Sequence, residues 1–241
     1  MSRTAQPGPR EPKYYTVKRH LLEVTESLPP GSPVPTERVL ATQLGTSRTT
    51  VRQALFELVA EGRLVRRQGS GTYVAEPKMT WPLQLASFTE QATANGLTAS
   101  NQLLSAVRGH ADDEVADRLG IKTGAPAFRI ERLRLADERP IAVEISFLSA
   151  ARFPQVTRHL RRGSSLYAIL HEHYGVVPVR AEESISTAPA TPREAALLDT
   201  DTGAPMLLLG RHSFDQTGAP IEWVTSWYRG DRVTLIANLR P

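Results

Sequence analysis

The amino-acid sequence predicts an α+β protein in two parts. The first is a basic module of three helices and a β-hairpin. The second is a larger, mainly antiparallel sheet with helices packed on it. Three observations predict this. Residues 1–75 hold 11 Lys and Arg against 6 Asp and Glu, whereas residues 76–241 hold 18 against 19. Apolar residues recur at helical steps in most of the first part and at two-residue steps in much of the second. Turn sequences, Asp137-Glu138-Arg139 and Asp215-Gln216-Thr217-Gly218, join neighbouring strand-like runs of the second part.

The elements follow in order. Residues 1–12 are polar and proline-rich and read as a disordered arm. Tyr14–Ser27 reads as a helix, with Tyr14, Val17, Leu21, Val24 and Leu28 on one stripe. Pro29, Pro30 and Pro33 break it. Thr36 can cap a short second helix ending near Gly45. Ser47 can cap a third, stopped by Gly62. Strands Arg63–Arg67 and Thr72–Ala75 then flank a glycine-rich tip, Gln68 to Gly71. Residues 77–82 read as a linker. Beyond it, helices at Asp112–Leu119, Ser165–His173 and Pro192–Asp199 alternate with strands. These are Gln102–Arg108, Ala127–Leu135, Ile141–Leu148, Val177–Thr187, Met206–Phe214, Ala219–Tyr228 and Val233–Asn238.

Composition excludes several classes. The 241 residues can bury a core without disulfide or metal staples. There is no cysteine, so thiolate metal sites and thiol catalysis are excluded. Apolar runs such as Met206–Leu209 are far too short to span a membrane. The first twelve residues lack the apolar stretch of a signal peptide, so a cytoplasmic location is expected. No cofactor or metal is expected. His171 and His173 lie two apart on a helix, so they point apart and cannot close on one ion.

The basic excess in the first part points to an anionic polymer. In the third helix, Val51, Ala54, Leu55, Leu58 and Val59 form the buried stripe. Arg48, Thr49, Arg52 and Gln53 fall mostly on the opposite face, near its start. A second helix after a tight turn, with donors on its first exposed turns, fits a DNA major groove. Arginine there can bond guanine, Gln53 can address adenine, and Thr49 and Thr50 can donate to phosphate. A tip without bulky side chains can approach a groove closely, with Arg63, Arg66 and Arg67 supplying charge beside it. The competing readings are a protein-interaction module with a basic surface and an enzyme.

Pro35-Thr36-Glu37-Arg38, Ser47 to Leu55, Leu58 to Gly62 and Gln68 to Val74 resemble the winged helix-turn-helix of GntR-family bacterial transcription regulators. The resemblance implies that Arg38, Arg48 and Arg52 contact guanines or phosphates, and that Gly69 at the wing tip reaches the minor groove. It also implies a homodimer on a pseudo-palindromic double-stranded operator.

In the second part, period two puts Phe128, Ile130, Arg132 and Arg134 on one strand face. Two arginines on a half-apolar face are costly to bury without an anion, and each can clamp one in a bidentate way. A three-residue turn at Asp137–Arg139 would set Glu144 opposite Arg132, as a cross-strand pair on a solvent face or as part of a pocket. Glu222, Val224, Ser226 and Tyr228 share a face of a later strand. Ser164 or Ser165 caps a helix whose free amides can meet a phosphate. With Tyr167, this set suits a sugar phosphate.

Ser87-Phe88-Thr89-Glu90, Arg132-Leu133-Arg134, Ala142-Val143-Glu144, Ser165-Leu166-Tyr167 and Trp223 to Arg232 resemble the UTRA effector domain of HutC-type GntR regulators. Within that group the chain is similar to the repressors of N-acetylglucosamine utilisation, the NagR and DasR type. The resemblance implies a chorismate-lyase-like fold and an amino-sugar phosphate effector, such as glucosamine 6-phosphate or N-acetylglucosamine 6-phosphate. It implies that Ser87, Arg132, Arg134, Ser165 and Tyr167 hold the phosphate, with Thr89 and Ser164 also among the effector-binding residues. Phe88, Glu144, Glu222 and Tyr228 would surround the sugar. Those repressors usually read Thr-Glu-Asp where this chain has Thr89-Glu90-Gln91. The implied organisation is a DNA-binding module at 13–76, a linker at 77–82 and an effector-binding and dimerisation domain at 83–241.

Overall fold

The computed structural model describes residues 12–67 and 69–239. The chain divides into two compact units, the first ending at Lys78 and the second starting at Met79. The expected arm lies outside the described residues except for Pro12, and so does Gln68 of the hairpin tip.

The first unit has helices α1 (Lys13–Glu26), α2 (Glu37–Gln43) and α3 (Arg48–Ala60), then strands β1 (Leu64–Arg67) and β2 (Gly71–Val74). Thr36 and Ser47 are the caps expected for α2 and α3, accepting from the amides of Val39 and Thr50. Gly62 adopts φ of +69°, and the amides of Gly62 and Arg63 turn back to the carbonyls of Val59 and Leu58. This double closure satisfies the last carbonyls of α3 and sends the chain into the hairpin. Leu21, Val51, Ala54, Leu55, Leu58 and Leu64 are buried together. The segment before α2 is pinned to β2 by Gly31 N–H to Val74 O and Val34 N–H to Thr72 O, both 2.8 Å.

The second unit opens with β3 (Met79–Pro82) and α4 (Phe88–Ala94). It continues through β4 (Ala99–His110), α5 (Asp113–Leu119), β5 (Pro126–Ala136), β6 (Arg139–Ser149), a short 3-10 turn (Val156–Arg158) and α6 (Leu166–Tyr174). It closes with β7 (Arg180–Pro189), α7 (Pro192–Leu198), β8 (Pro205–Phe214), β9 (Pro220–Arg229) and β10 (Val233–Ile236). Six strands form one antiparallel sheet in the order β4-β5-β6-β9-β8-β7. Helices α5 and α7 pack on one face, through Phe147 and Trp223 in one case and Leu133 and Val143 in the other. Helix α6 packs on the opposite face, against Phe128, Ile130 and Leu148.

Two expectations change. The stretch read as a linker is partly strand: β3 pairs in parallel with β10, Met79 beside Val233 and Pro82 beside Ile236. Trp81 is buried there with Phe88 and Val233, which joins residues 79–82 to the second unit. The turn between β5 and β6 has two residues rather than three. Asp137 and Glu138 have φ of +47° and +60°, and Ala136 pairs with Arg139. A two-residue turn alone would put Val143 opposite Arg132. The register slips by one residue after Leu135, where Pro140 is its partner and Ala142 is the partner of Arg134. Ile141 is the extra residue of this bulge, and it brings Glu144 opposite Arg132.

Candidate functional site

The even-numbered side of β5 faces a cavity of about 60 Å³. Cross-strand register builds its floor. Arg132, Glu144, Ser226 and Leu209 stand in one row across four strands, and Ile130, Ser146, Val224 and Arg211 in the next. The bulge matters here, because a one-residue slip would turn Glu144 to the other face of the sheet.

Glu144 gathers the two cavity-lining arginines of β5, Arg132 and Arg134. Arg134 donates through Nε (3.1 Å) and Nη2 (2.7 Å) to its two oxygens, and Arg132 Nη2 donates to Oε1. Burial works against the charge of Glu144, but Arg134 and Arg132 outweigh it and hold the carboxyl at about 2. Arg132 is 2% exposed. Burial, and then the like charge of Arg134, weigh against its guanidinium. Its Nε and Nη1 are buried without a hydrogen-bond partner among the described residues. Glu222, also buried, has one carboxylate oxygen in the same condition. Burial and the neighbouring Glu144 push the Glu222 carboxyl up, and Arg132 pulls it down.

The other expected residues complete the walls. Ser87, Phe88, Thr89, Ser165, Tyr167 and Tyr228 all line the cavity. Ser87 caps α4 in a capping box with Glu90, and Ser165 caps α6 by accepting from the Ala168 amide. Phe88 stacks on Trp81 at 5.3 Å between ring centroids, and the Arg134 guanidinium lies over the Phe88 ring. Burial pushes the Tyr228 phenol up to about 12, so it remains a neutral donor. Ser164 is the exception. It does not line the cavity; its hydroxyl bonds the backbone of Arg161.

In the first unit Arg38, Arg48, Thr49, Arg52, Gln53, Arg67 and Gly69 are exposed. Gly69 has φ of +69° with open space around it, and Arg67 covers the Tyr73 ring at 4.7 Å. The Thr50 hydroxyl is engaged with Ser47, 2.8 Å away, inside the cap of α3.

Residues 14–74 match the bacterial regulatory proteins of the gntR family, and residues 94–234 match the UTRA domain. The chain belongs to the GntR family and carries a UTRA domain. This regulator is 40% identical to the HTH-type transcriptional repressor PhnF of Mycolicibacterium smegmatis over 234 residues, 97% of this chain and 95% of that protein. It is 38% identical to the HTH-type transcriptional repressor NagR of Bacillus subtilis over 230 residues, 93% of each. The crystal structure of PhnF matches with a TM-score of 0.67, covering 93% of this chain and 99% of that one. A repressor that binds DNA through its gntR module, with the UTRA domain as effector-binding part, follows from these matches; the enzyme reading does not. No helix among the described residues is long and apolar enough to cross a membrane.

Two cavity features of the regulator escape sequence reading. Arg211 on β8 donates to both oxygens of Glu183 at 3.2 and 3.0 Å, and to the carbonyl of Ala86 at 3.2 Å. Buried Gln91 reaches the carbonyls of Gln84 and Ala86, both at 3.3 Å. Alternation along β8 puts Arg211 on the cavity side, but only the β7–β8 register reveals Glu183 as its partner. The roof residues 81–91 fall between the two family matches.

Proposed function

We propose that operator binding by this repressor is controlled by a small phosphorylated effector, and that the class is an amino-sugar phosphate. Glucosamine 6-phosphate and N-acetylglucosamine 6-phosphate are its leading members. One observation carries the reading: two open donor nitrogens on buried Arg132 share a cavity with an open acceptor oxygen on buried Glu222. A buried polar atom without a partner costs free energy. A ligand with anionic oxygens at one end and a hydroxyl or amine at the other relieves both. Arg132, Arg134, Ser87, Thr89, Ser165 and Tyr167 would hold the phosphate, and Phe88, Glu144, Glu222 and Tyr228 would surround the sugar. The sequence resemblance to repressors of N-acetylglucosamine utilisation and the kinship with NagR support this class. PhnF is as similar as NagR, which favours a second reading: a different sugar phosphate or small anion in the same cavity.

In the first unit, Arg38, Arg48, Arg52, Gln53 and the wing at Gly69 would meet a pseudo-palindromic operator as a homodimer in the cytoplasm. Coupling then follows from population shift. The dimer samples placements of its DNA-binding units, and a ligand that prefers one placement moves the equilibrium by its differential affinity. Release of DNA on effector binding is the expected sign. The roof supports such coupling, because residues 83–91 follow directly on β3 and the joint at Lys78.

A thermal-shift screen of hexosamine phosphates, other hexose phosphates and the free sugars tests the class. A ligand at a hundred times its Kd stabilises the native state by about 2.7 kcal/mol. A shift with amino-sugar phosphates and none with free sugars is expected. A response to other anions alone would replace the class. No response to any phosphorylated compound would overturn the reading.

A further inference from the structure

We propose that Glu37 is a positioning residue for DNA reading: it holds the Arg52 side chain on α3 in the pose that meets a base. This rests on the reading of α3 as the operator-contacting helix. Glu37 is the first residue of α2, fixed by the Thr36 cap just before it. Its carboxylate accepts from Arg52 Nε (3.1 and 3.2 Å to its two oxygens) and from Nη2 (2.8 Å). The same carboxylate lies 3.5 Å from Arg66 Nη2 on β1. One acidic group thus ties together the second helix, the third helix and the wing.

The geometry of the guanidinium decides what this can do. Glu37 occupies the side edge of Arg52, formed by Nε and one Nη2 proton. The end edge, formed by Nη1 and the other Nη2 proton, is left; Nη1 has no partner among the described residues. That end edge is the one that bonds guanine O6 and N7 together. A long, exposed arginine has many rotamers, and holding it in one lowers the entropy lost on binding. The Arg52 side chain is 58% exposed, so the ion pair adds little to stability. A carboxylate beside DNA also repels phosphate. Its place among Arg38, Arg48, Arg52 and Arg66 is therefore costly for affinity, and orientation of Arg52 is what offsets the cost. Glu37 stays ionised, because the hydrogen bond from Arg52 holds its carboxyl below the usual range.

The test uses the full-length protein. Selection from random-core duplexes by the wild type supplies an operator duplex, and a shuffled duplex of equal composition serves as control. Glu37→Gln is expected to lower operator affinity about tenfold, as for loss of one good base contact. Its affinity for the shuffled duplex should hold or rise, because a negative charge is gone. Arg52→Ala is expected to lose the same discrimination, and Glu37→Gln added to it should cost nothing further. Parallel loss on both duplexes with a lower melting point would make Glu37 structural and overturn the proposal. So would unchanged or higher operator affinity with discrimination retained. If Arg52→Ala leaves discrimination intact, the reading of α3 fails instead.

Discussion

Glu144 sits opposite Arg132 across β5 and β6 and accepts hydrogen bonds from both Arg132 and Arg134. Three guanidiniums of the cavity, Arg132, Arg134 and Arg211, thus stand among three carboxylates, Glu144, Glu183 and Glu222. The cavity is therefore lined by charges of both signs rather than by cations alone.

Removal of Arg132 is expected to separate sensing from DNA binding. Arg132→Met is expected to abolish the effector response in an operator-binding titration while effector-free operator affinity stays within about threefold. The cost to stability is about 3 kcal/mol, the low end for breaking a buried pair, because Arg134 still holds Glu144. Tryptophan fluorescence in urea measures it, since Trp81, Trp223 and Trp227 are the three tryptophans and all lie in the second unit. Collapse of effector-free operator affinity would make Arg132 structural.

Glu222 and Glu144 give opposite pH dependences. The folded state raises the Glu222 carboxyl, so its contribution is present below the unfolded value near 4.5 and is lost as pH rises through the folded one. Glu222→Gln should therefore raise the melting point at neutral pH, change it little at pH 4, and weaken effector binding. Glu144 is lowered to about 2, so its contribution is present above 4.5 and is lost as pH falls towards 2. Glu144→Gln should flatten the acid limb of the melting-point profile over that window.

The β5–β6 turn offers a stabilising change. Asp137 and Glu138 both hold left-handed backbone, which costs a non-glycine residue about 1 kcal/mol or more. The Glu138 ion pair with Arg162 is exposed on both sides and returns little. After the greater unfolded-state entropy of glycine is deducted, Glu138→Gly should stabilise the second unit by about 0.5 kcal/mol in urea unfolding. Destabilisation would contradict the turn geometry.

Arg48→Ala and Arg67→Ala should differ in kind. Arg67 flanks the wing, and its loss should weaken operator and shuffled duplex alike and reduce the salt slope by about 1. Arg48 opens α3, and its loss should cost about 1–3 kcal/mol on the operator alone. Fluorescence anisotropy over a salt series distinguishes the two.

Local chemistry explains what was legible in the sequence. Thr36, Ser47 and Gly62 mark helix ends by capping and left-handed backbone, so the first unit reads residue by residue. The face carrying Glu222, Val224, Ser226 and Tyr228 follows from period two. Helix α4 was less visible, because its seven residues carry little apolar periodicity; the Ser87–Glu90 capping box was its signal. Strand β3 pairs with a strand some 150 residues later, a contact no local pattern encodes. The bulge at Ile141 was hidden because a three-residue turn and a two-residue turn plus one extra residue bring the same pair together.

The pairing of β3 with β10 also fastens the second unit like a buckle, with its first and last strands side by side. The end of β10 lies beside the segment that continues into the sensor's roof: Ile236 is the partner of Pro82, and its carbonyl accepts from the Leu83 amide at 2.8 Å. Shortening the chain into Val233–Ile236 would unfasten β3 and leave Trp81 without Val233 against it, although no residue of the DNA-binding unit had been touched.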